Sequence, residues 1–410
     1  MIISTVTPDP NAPYRILPVD HNWQSAFRET IEYKTDILES GNGKEQRRAV
    51  RFTPRRSLEY SARYVGQEKH ELDRFFNKSL ARLCYVPQEN QVVYTARPLA
   101  EEETSVSYTN PTEREYPWLK AGTVVILSDG WRKETRTLTG ASKTLLGFSE
   151  KNFTEFPAGT KITPAVIGYV RADPRTIRRT SYAGTIGVTV DLDPKFDQYA
   201  PGSAGAYYIG FREFFTKHPN WGDNPEVTHG YLREMVDYGY GLTTAYVPKD
   251  FPTRTHKASY HGKTYEYTRE MIDFFCRMRG RNREFLMPSF EPDIPYYAIA
   301  PGSNSILIKG QGFAFDYKDS TVFRRILIRP RVGEDIHAEV DYVEALPDTN
   351  TSVIWLRESL PNVNLAPAAV LGINWVTVSR FATDRLDIDW LTAKVAQFNM
   401  TVQTLENFDV

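Results

Sequence analysis

This chain repeats itself, and the repeat limits its fold more than any other feature. Residues 56–87 read as an alternating apolar strand (Leu58, Tyr60, Ala62, Tyr64) and a polar break. A short amphipathic helix follows (Leu72, Phe75, Phe76, Leu80), then an apolar segment ending at Pro87. Residues 258–288 give the same order. Tyr260, Tyr265 and Tyr267 come first, then a helical set of Met271, Ile272, Phe274, Phe275 and Met278, then Phe285, Leu286, Met287 and Pro288. Leu72-x-x-Phe75-Phe76 aligns with Met271-x-x-Phe274-Phe275. A second echo follows each first one: Gly159-x-x-Ile162-x-x-Ala165 leads to Tyr169-Val170, and Gly333-x-x-Ile336-x-Ala338 leads to Tyr342-Val343, with one single-residue gap. Repeats are sought first because missing them misreads the whole fold. The order predicts two related sheet-plus-helix units, each followed by a small β-barrel or sandwich. Phe75, Phe76, Phe274 and Phe275 are expected to be buried. Chance similarity between two β-rich stretches would instead give different sheets around the two helices.

A length of 410 residues allows two to four domains at about 100–200 residues each. A net charge of −1 gives no global attraction to nucleic acid or to an anionic membrane. Mean hydropathy is −0.46, and no run of about 18 apolar residues offers a membrane-spanning helix. The opening residues, Met1-Ile-Ile-Ser-Thr-Val-Thr-Pro8, lack the pattern of a signal peptide, so the expectation is a cytoplasm-made protein. Cys84 and Cys276 are too few for a disulfide framework and read as buried, reduced thiols.

The aromatic share of 13% sits mainly in runs alternating with Val, Ile and Thr, the residues that suit a pleated surface. The fold class is therefore mainly β with a few short helices. Two helices are expected at about 68–82 and 268–279, the second with Thr268 as N-cap and Gly280 past its end. Weaker helical spacing marks 208–217 and 225–237, where Leu232, Met235 and Val236 share a face. The chain divides into an extended N-terminal arm (1–30), a first β/helix unit (31–110), a small barrel-like domain (111–200) and an irregular connection (201–255). A second β/helix unit (256–294), a second small β domain (295–370) and C-terminal strands (371–410) complete it. In the last segment Ala396, Phe398, Met400, Val402 and Thr404 alternate with polar residues, as do Leu386, Ile388 and Trp390, the pattern of strands with one buried face.

No segment shows phosphate-binding glycine spacing, a metal finger or a nucleophile elbow. The seven histidines are scattered, and His256 and His261 fall on opposite faces of a strand. Asp191-x-Asp193 and Asp387-x-Asp389 each place two carboxylates on one face, a spacing that acid–base chemistry or Ca²⁺ could use. Solvated acids opposite a buried face are the commoner meaning. No catalytic residue, cofactor or metal follows. Exposed aromatics suited to sugar stacking would be Trp131, Trp221 and Tyr238 to Tyr240. The arginines are denser: Arg47, Arg48, Arg51, Arg55 and Arg56 form one patch with Lys44, and Arg279, Arg281 and Arg283 form another with Arg277. Further clusters lie at Arg175, Arg178 and Arg179 and at Arg324, Arg325, Arg329 and Arg331. Arginine forks onto carboxylates, so such clusters suit subunit interfaces. The first two patches are expected to meet acids such as Glu101–Glu103, Glu113 and Glu115 of a neighbouring copy.

Three stretches carry a resemblance. Thr35-Asp-Ile-Leu-Glu-Ser-Gly-Asn-Gly-Lys-Glu45-Gln46-Arg47-Arg48, followed by Pro54-Arg55-Arg56-Ser-Leu-Glu-Tyr60, resembles tail-tip proteins of long-tailed bacteriophages. Asp273-Phe274-Phe275-x-x-x-Arg279-Gly280-Arg281-x-x-Glu284-Phe285-Leu286-Met287-Pro288-Ser289-Phe290-x-x-Asp293 and the closing stretch from Phe381-x-x-Asp384 through Val395 into the final strand are similar to the same proteins. Together they cover about a quarter of the chain. The resemblance implies a structural virion protein, most like the distal tail proteins that form a ring under the tail tube. Its partners would be further copies in a homo-oligomeric ring, the tail tube, the hub, and fibre or receptor-binding proteins. There would be no membrane partner, nucleic acid would pass through at most, and assembly would take place in the host bacterial cytoplasm. A host-receptor or carbohydrate-binding tail module is the alternative, and a tail-associated hydrolase a further one.

Overall fold

A computed structural model describes residues 14–40, 44–79, 82–110, 116–130, 132–150, 155–171, 174–197, 201–203, 205–230, 234–241, 243–246, 252–318, 320–363 and 365–406. The chain is mainly β, organised around a large antiparallel sheet.

The first half begins with β1 (Arg15–Ile16), which lies parallel to β4 (Leu83–Pro87). Long strands β2 (Phe27–Glu39) and β3 (Glu45–Val65) form a hairpin. In β3 the buried residues Leu58, Tyr60, Ala62 and Tyr64 alternate with more exposed ones, as a strand with one core face requires. Helix α1 (Gln67–Ser79) buries Leu72 and Phe75 and leaves Phe76 half-buried. β4 (Leu83–Pro87) follows, then a small sheet of β5 (Val93–Thr95), β6 (Ser105–Thr109), β7 (Val124–Ser128), β8 (Lys133–Ala141) and β9 (Leu145–Phe148). β10 (Lys161–Val170), β11 (Arg175–Arg178) and β12 (Ala183–Leu192) return to the large sheet.

The pairings inside this half are definite. β3 pairs with β12, β12 with β10 and β11, and β10 with β4. The small sheet runs β5–β6–β9–β8–β7, and both its ends bond to the first residues of β10, closing a barrel. The barrel is thus inserted between β4 and β10. It does not follow a finished unit, because β10 belongs to both sheets.

A connecting stretch contains the short hairpin β13 (Tyr208–Ile209) and β14 (Arg212–Glu213), then β15 (Glu226–Gly230), and a second hairpin of β16 (Glu234–Asp237) and β17 (Thr243–Tyr246). Both weaker helical expectations fail here. Gly210 takes a positive φ of 61° and turns the chain between β13 and β14. β15 is recruited by the backbone of a long neighbouring strand, and tertiary pairing overrides so short a periodicity. Met235 and Val236 are exposed, and Leu232 lies outside the described residues.

The second half comprises β18 (Thr253–Gly262), α2 (Tyr265–Met278), β19 (Phe285–Pro288), β20 (Tyr296–Ile299), β21 (Ser305–Lys309), α3 (Gly312–Tyr317), β22 (Arg325–Pro330), β23 (Ile336–Leu346) and β24 (Thr351–Leu356). It ends with β25 (Val370–Phe381), β26 (Arg385–Trp390) and β27 (Ala396–Thr404). Thr264, not Thr268, caps α2, its hydroxyl accepting from the Tyr267 N–H. Thr268 is buried in the first turn. The helix ends with Arg279 and Gly280 both at positive φ. A Cβ on Gly280 would stand 2.6 Å from Asp384 Oδ1, so glycine is needed there for space as well as for conformation.

The second set of pairings matches the first. β18 pairs with β27, β27 with β25 and β26, and β25 with β19. The small sheet runs β20–β21–β24–β23–β22, with β22 on the first half of β25. Where β5 bonds to β10, the second half has Ile294 N–H donating to Ile373 O at 3.2 Å. β1 beside β4 has its counterpart in the parallel bridge Phe214–Leu286. β2 and β26 then bond antiparallel from Phe27 opposite Trp390 to Glu32 opposite Arg385, joining the two halves edge to edge. One continuous core crosses this junction, with Phe27, Tyr60, Phe75, Phe274, Phe275, Phe285, Phe381 and Trp390 among its members. A second core fills the later small sheet around Ile306, Ile328, Ile354 and Trp375.

Residues 1–13 of the expected N-terminal arm lie outside the described residues. Beyond them the segment is no loose arm: Leu17 and Val19 are buried, and Phe27 already belongs to β2. The C-terminal strands alternate as expected, with Leu386, Ile388 and Trp390 buried, and Ala396, Phe398, Met400 and Val402 likewise.

Candidate assembly surface

The two arginine patches, far apart in sequence, lie together in space. The β2–β3 hairpin folds back over the turn after α2, so that residues 45–52 meet residues 279–284. Arg47 Nη2 reaches Glu284 Oε2 at 2.8 Å, and Arg212 Nε takes the other oxygen of that carboxylate at 2.7 Å. Arg279 stacks its guanidinium 5.4 Å from the centre of the Phe52 ring. The Arg281 N–H donates to Asp384 Oδ1 at 2.8 Å. Arg51 donates to the Glu32 carbonyl at 2.9 Å. Arg56 is buried, with Glu29 and Asp197 each 2.5 Å away. For Arg47 and Arg56 the expectation of acids from a neighbouring copy is corrected: their acids belong to the same chain. Buried charges require partners, and the fold brings those partners in from up to hundreds of residues away. Arg48, Arg55 and Arg283 are exposed. Of the acids expected opposite them, Glu113 and Glu115 lie outside the described residues, and Glu103 is engaged by Arg97 at 2.9 Å.

Sequence reasoning missed the strongest of these clamps. Arg380 grips Glu45 with two bonds, of 2.8 and 2.7 Å, and both side chains are buried. Arg277 clasps Glu213 in the same way, at 3.0 and 2.6 Å. A third charged cluster ties the first barrel to the N-terminal segment. Lys133 and Lys161 approach Asp20 at 2.8 and 3.3 Å, and Lys161 also meets Glu89 at 2.9 Å. Burial would raise the Asp20 carboxyl, but the two ammonium groups outweigh it and hold the acid well below its usual range.

The remaining candidates find ordinary partners. Asp191 pairs with Arg171, and Asp193 Oδ1 accepts the Lys195 N–H at 2.9 Å. Asp387 accepts from Thr30 Oγ1 at 2.5 Å and Arg385 at 2.9 Å, and Asp389 from Arg28 Nε at 2.7 Å. The depression that Asp387 and Asp389 line is open and contains Arg28 and Arg385 but no third acid. Among the described residues no group of three His, Cys, Asp or Glu is placed to hold a metal. His256 is half-buried, and desolvation with Arg254 and His229 nearby pushes it down to about 4. Burial drives both thiols, Cys84 and Cys276, up to about 12, so neither is a nucleophile at neutral pH. Trp221 is exposed, as are Tyr238 and Tyr240 on the β16–β17 hairpin; Trp131 lies outside the described residues.

What the chain does present is two strand edges. From end to end one antiparallel array runs β11–β12–β3–β2–β26–β27–β18–β15. Every residue of β11 and of β15 is exposed, and among the described residues each pairs on one side alone. An open strand edge is a row of unpaired N–H and C=O groups ready to accept another strand. No family model matches this chain, and no curated protein is similar to it.

Proposed function

We propose that this protein is a structural virion component of the tail end of a long-tailed bacteriophage, a ring subunit of the distal tail or baseplate joining the tail tube to hub and receptor-binding parts. The observation that carries the proposal is the β2–β26 junction. It joins two halves of matching connectivity edge to edge and leaves the outer edges β11 and β15 each paired on one side alone among the described residues. Two copies of one unit within a chain let a ring of few chains approximate a higher rotational symmetry, as a tail with its tube requires. The three resembling stretches converge on this plan. The first two form the packed hairpin-and-turn seam around Arg47 and Glu284, and the third supplies Asp384, which accepts from the backbone N–H of Arg281. In this reading the protein acts by burying surface and pairing strands in a homo-oligomer, assembled in the host bacterial cytoplasm and carried in the virion.

Native mass measurement of the purified chain tests this. A closed homo-oligomer of fixed copy number is expected, together with the same protein in purified tails at that stoichiometry. A chain that stays monomeric at high concentration and is absent from tails overturns it. The exposed Trp221, Tyr238 and Tyr240 favour a second reading, a glycan- or receptor-binding tail module. Glycan binding lost on Trp221→Ala with folding intact would support that reading.

A further inference from the structure

The free edges of the array correspond to the edges already joined at its centre. Arg28 of β2 faces Glu59 of β3, and Glu226 of β15 faces Lys257 of β18. Ala62 of β3 faces Ile186 of β12, and Tyr260 of β18 faces Phe398 of β27. Arg28 to Glu226, Glu59 to Lys257 and Ala62 to Tyr260 all share one constant offset in residue number. On the other side Thr176 of β11 faces Ile186 and Ile388 of β26 faces Phe398, again with one offset for both members. Thus β15 is to the second half what β2 is to the first, and β11 is to the first half what β26 is to the second.

We propose that β15 of one chain pairs with β11 of a second copy, antiparallel and in the register of the β2–β26 junction. This deepens the ring-subunit reading and rests on it. The transfer is explicit. Arg28 opposite Asp389 becomes Glu226 opposite Ile177, Glu29 opposite Ile388 becomes Val227 opposite Thr176, and Thr30 opposite Asp387 becomes Thr228 opposite Arg175.

Charge favours this pairing over a joint between two β11 edges. Glu226 stands diagonal to Arg175 and Arg179 on one face, within the reach of long side chains across a sheet. Two β11 edges meeting each other would set Arg175, Arg178 and Arg179 against their own copies, and like charges across strands repel. The joint is therefore head to tail, and a head-to-tail joint that closes makes a ring. Each chain then supplies two equivalent steps: one junction inside the chain and one between chains.

Cysteine cross-linking of the full chain tests the register. Cys84 and Cys276 are buried and leave a quiet background. Oxidation of the Thr176→Cys/Val227→Cys double variant should give a ladder of covalent multimers. Each single variant alone should give none, while an equimolar mixture of the two singles should stop at a dimer. As a second measurement independent of disulfide geometry, Arg175→Glu with Arg179→Glu should weaken assembly at least tenfold, and Glu226→Arg should restore part of it. Full-size oligomers with neither the ladder nor the charge effect would overturn the seam and leave the ring reading standing. A chain monomeric throughout would overturn both.

Discussion

The indole N–H of Trp390 donates to Glu29 Oε2 at 3.2 Å, across the junction between the two halves. The same buried carboxylate takes Arg56 Nη2 at 2.5 Å and Asn90 Nδ2 at 3.3 Å. One acid on β2 thus holds a tryptophan from β26, an arginine from β3 and the entrance to the first barrel.

Glu29→Ala removes the acid and leaves Arg56 with Asp197 as its carboxylate partner and the indole N–H with no acceptor. Breaking a buried ion pair on one side costs about 3–5 kcal/mol, and urea unfolding should show a loss of that size. Glu29→Gln keeps an acceptor and should cost visibly less.

Arg47 and Arg48 are neighbours in sequence with different surroundings. Arg47 is tied to Glu284, whereas Arg48 is exposed. Arg47→Glu would oppose the carboxylates of Glu284 and Glu45, which lies 3.9 Å from the Arg47 Nε, and should lower stability by about 2 kcal/mol. Arg48→Glu should stay within about 0.5 kcal/mol, as surface changes do. Equal losses in the two variants would contradict the hairpin's docking on the turn after α2.

The helix aromatics are also unequal. Phe275 is buried and lies 5.0 Å, ring centre to ring centre, from Phe381, while its counterpart Phe76 is half-buried. Phe275→Ala should cost about 3–5 kcal/mol and Phe76→Ala clearly less, measured by thermal or chemical unfolding.

Acid should destabilise the protein before its carboxylates titrate. His256 is held neutral in the fold down to about pH 4 by burial, while the unfolded chain takes up that proton near pH 6.5. The folded pKa is lowered, so this contribution is complete above about 6.5 and is lost as pH falls toward 4. His21, His218 and His337 are shifted down by burial as well and add the same sign. The urea midpoint should drop between pH 7 and 4.5, and His256→Asn should flatten that drop.

Local signals were legible in the chain. The alternation of Ala396 to Thr404 and the helical spacing of Leu72 and Phe75 each need only a few neighbouring residues; the strand forms where it was read, and the helix expected over 68–82 is described over Gln67–Ser79, with Leu80 outside the described residues. The 225–237 segment misled because Val227 and Thr228 answer to β18, a partner that local periodicity cannot show. The arginine patches were visible as composition but not as contacts. Arg380 finds Glu45 335 residues away, and no local pattern announces such a pair. The insertion of each barrel was hidden for the same reason: nothing within Lys161–Val170 tells that its two ends serve different sheets.

That double service has a mechanical consequence. β10 bonds to β5 and β7 through Lys161–Pro164 and to β4 and β12 through Ala165–Val170, and β25 divides in the same way between β22 and then β19 and β27. A hinge needs a stretch where few hydrogen bonds hold the chain, and at both places a single continuous strand, paired on both sides of the crossing, runs through instead. A load applied to either barrel is therefore passed along an extended backbone into the large sheet. Whatever grips the barrels pulls on the β2–β26 junction and, in the proposed ring, on the joints between subunits.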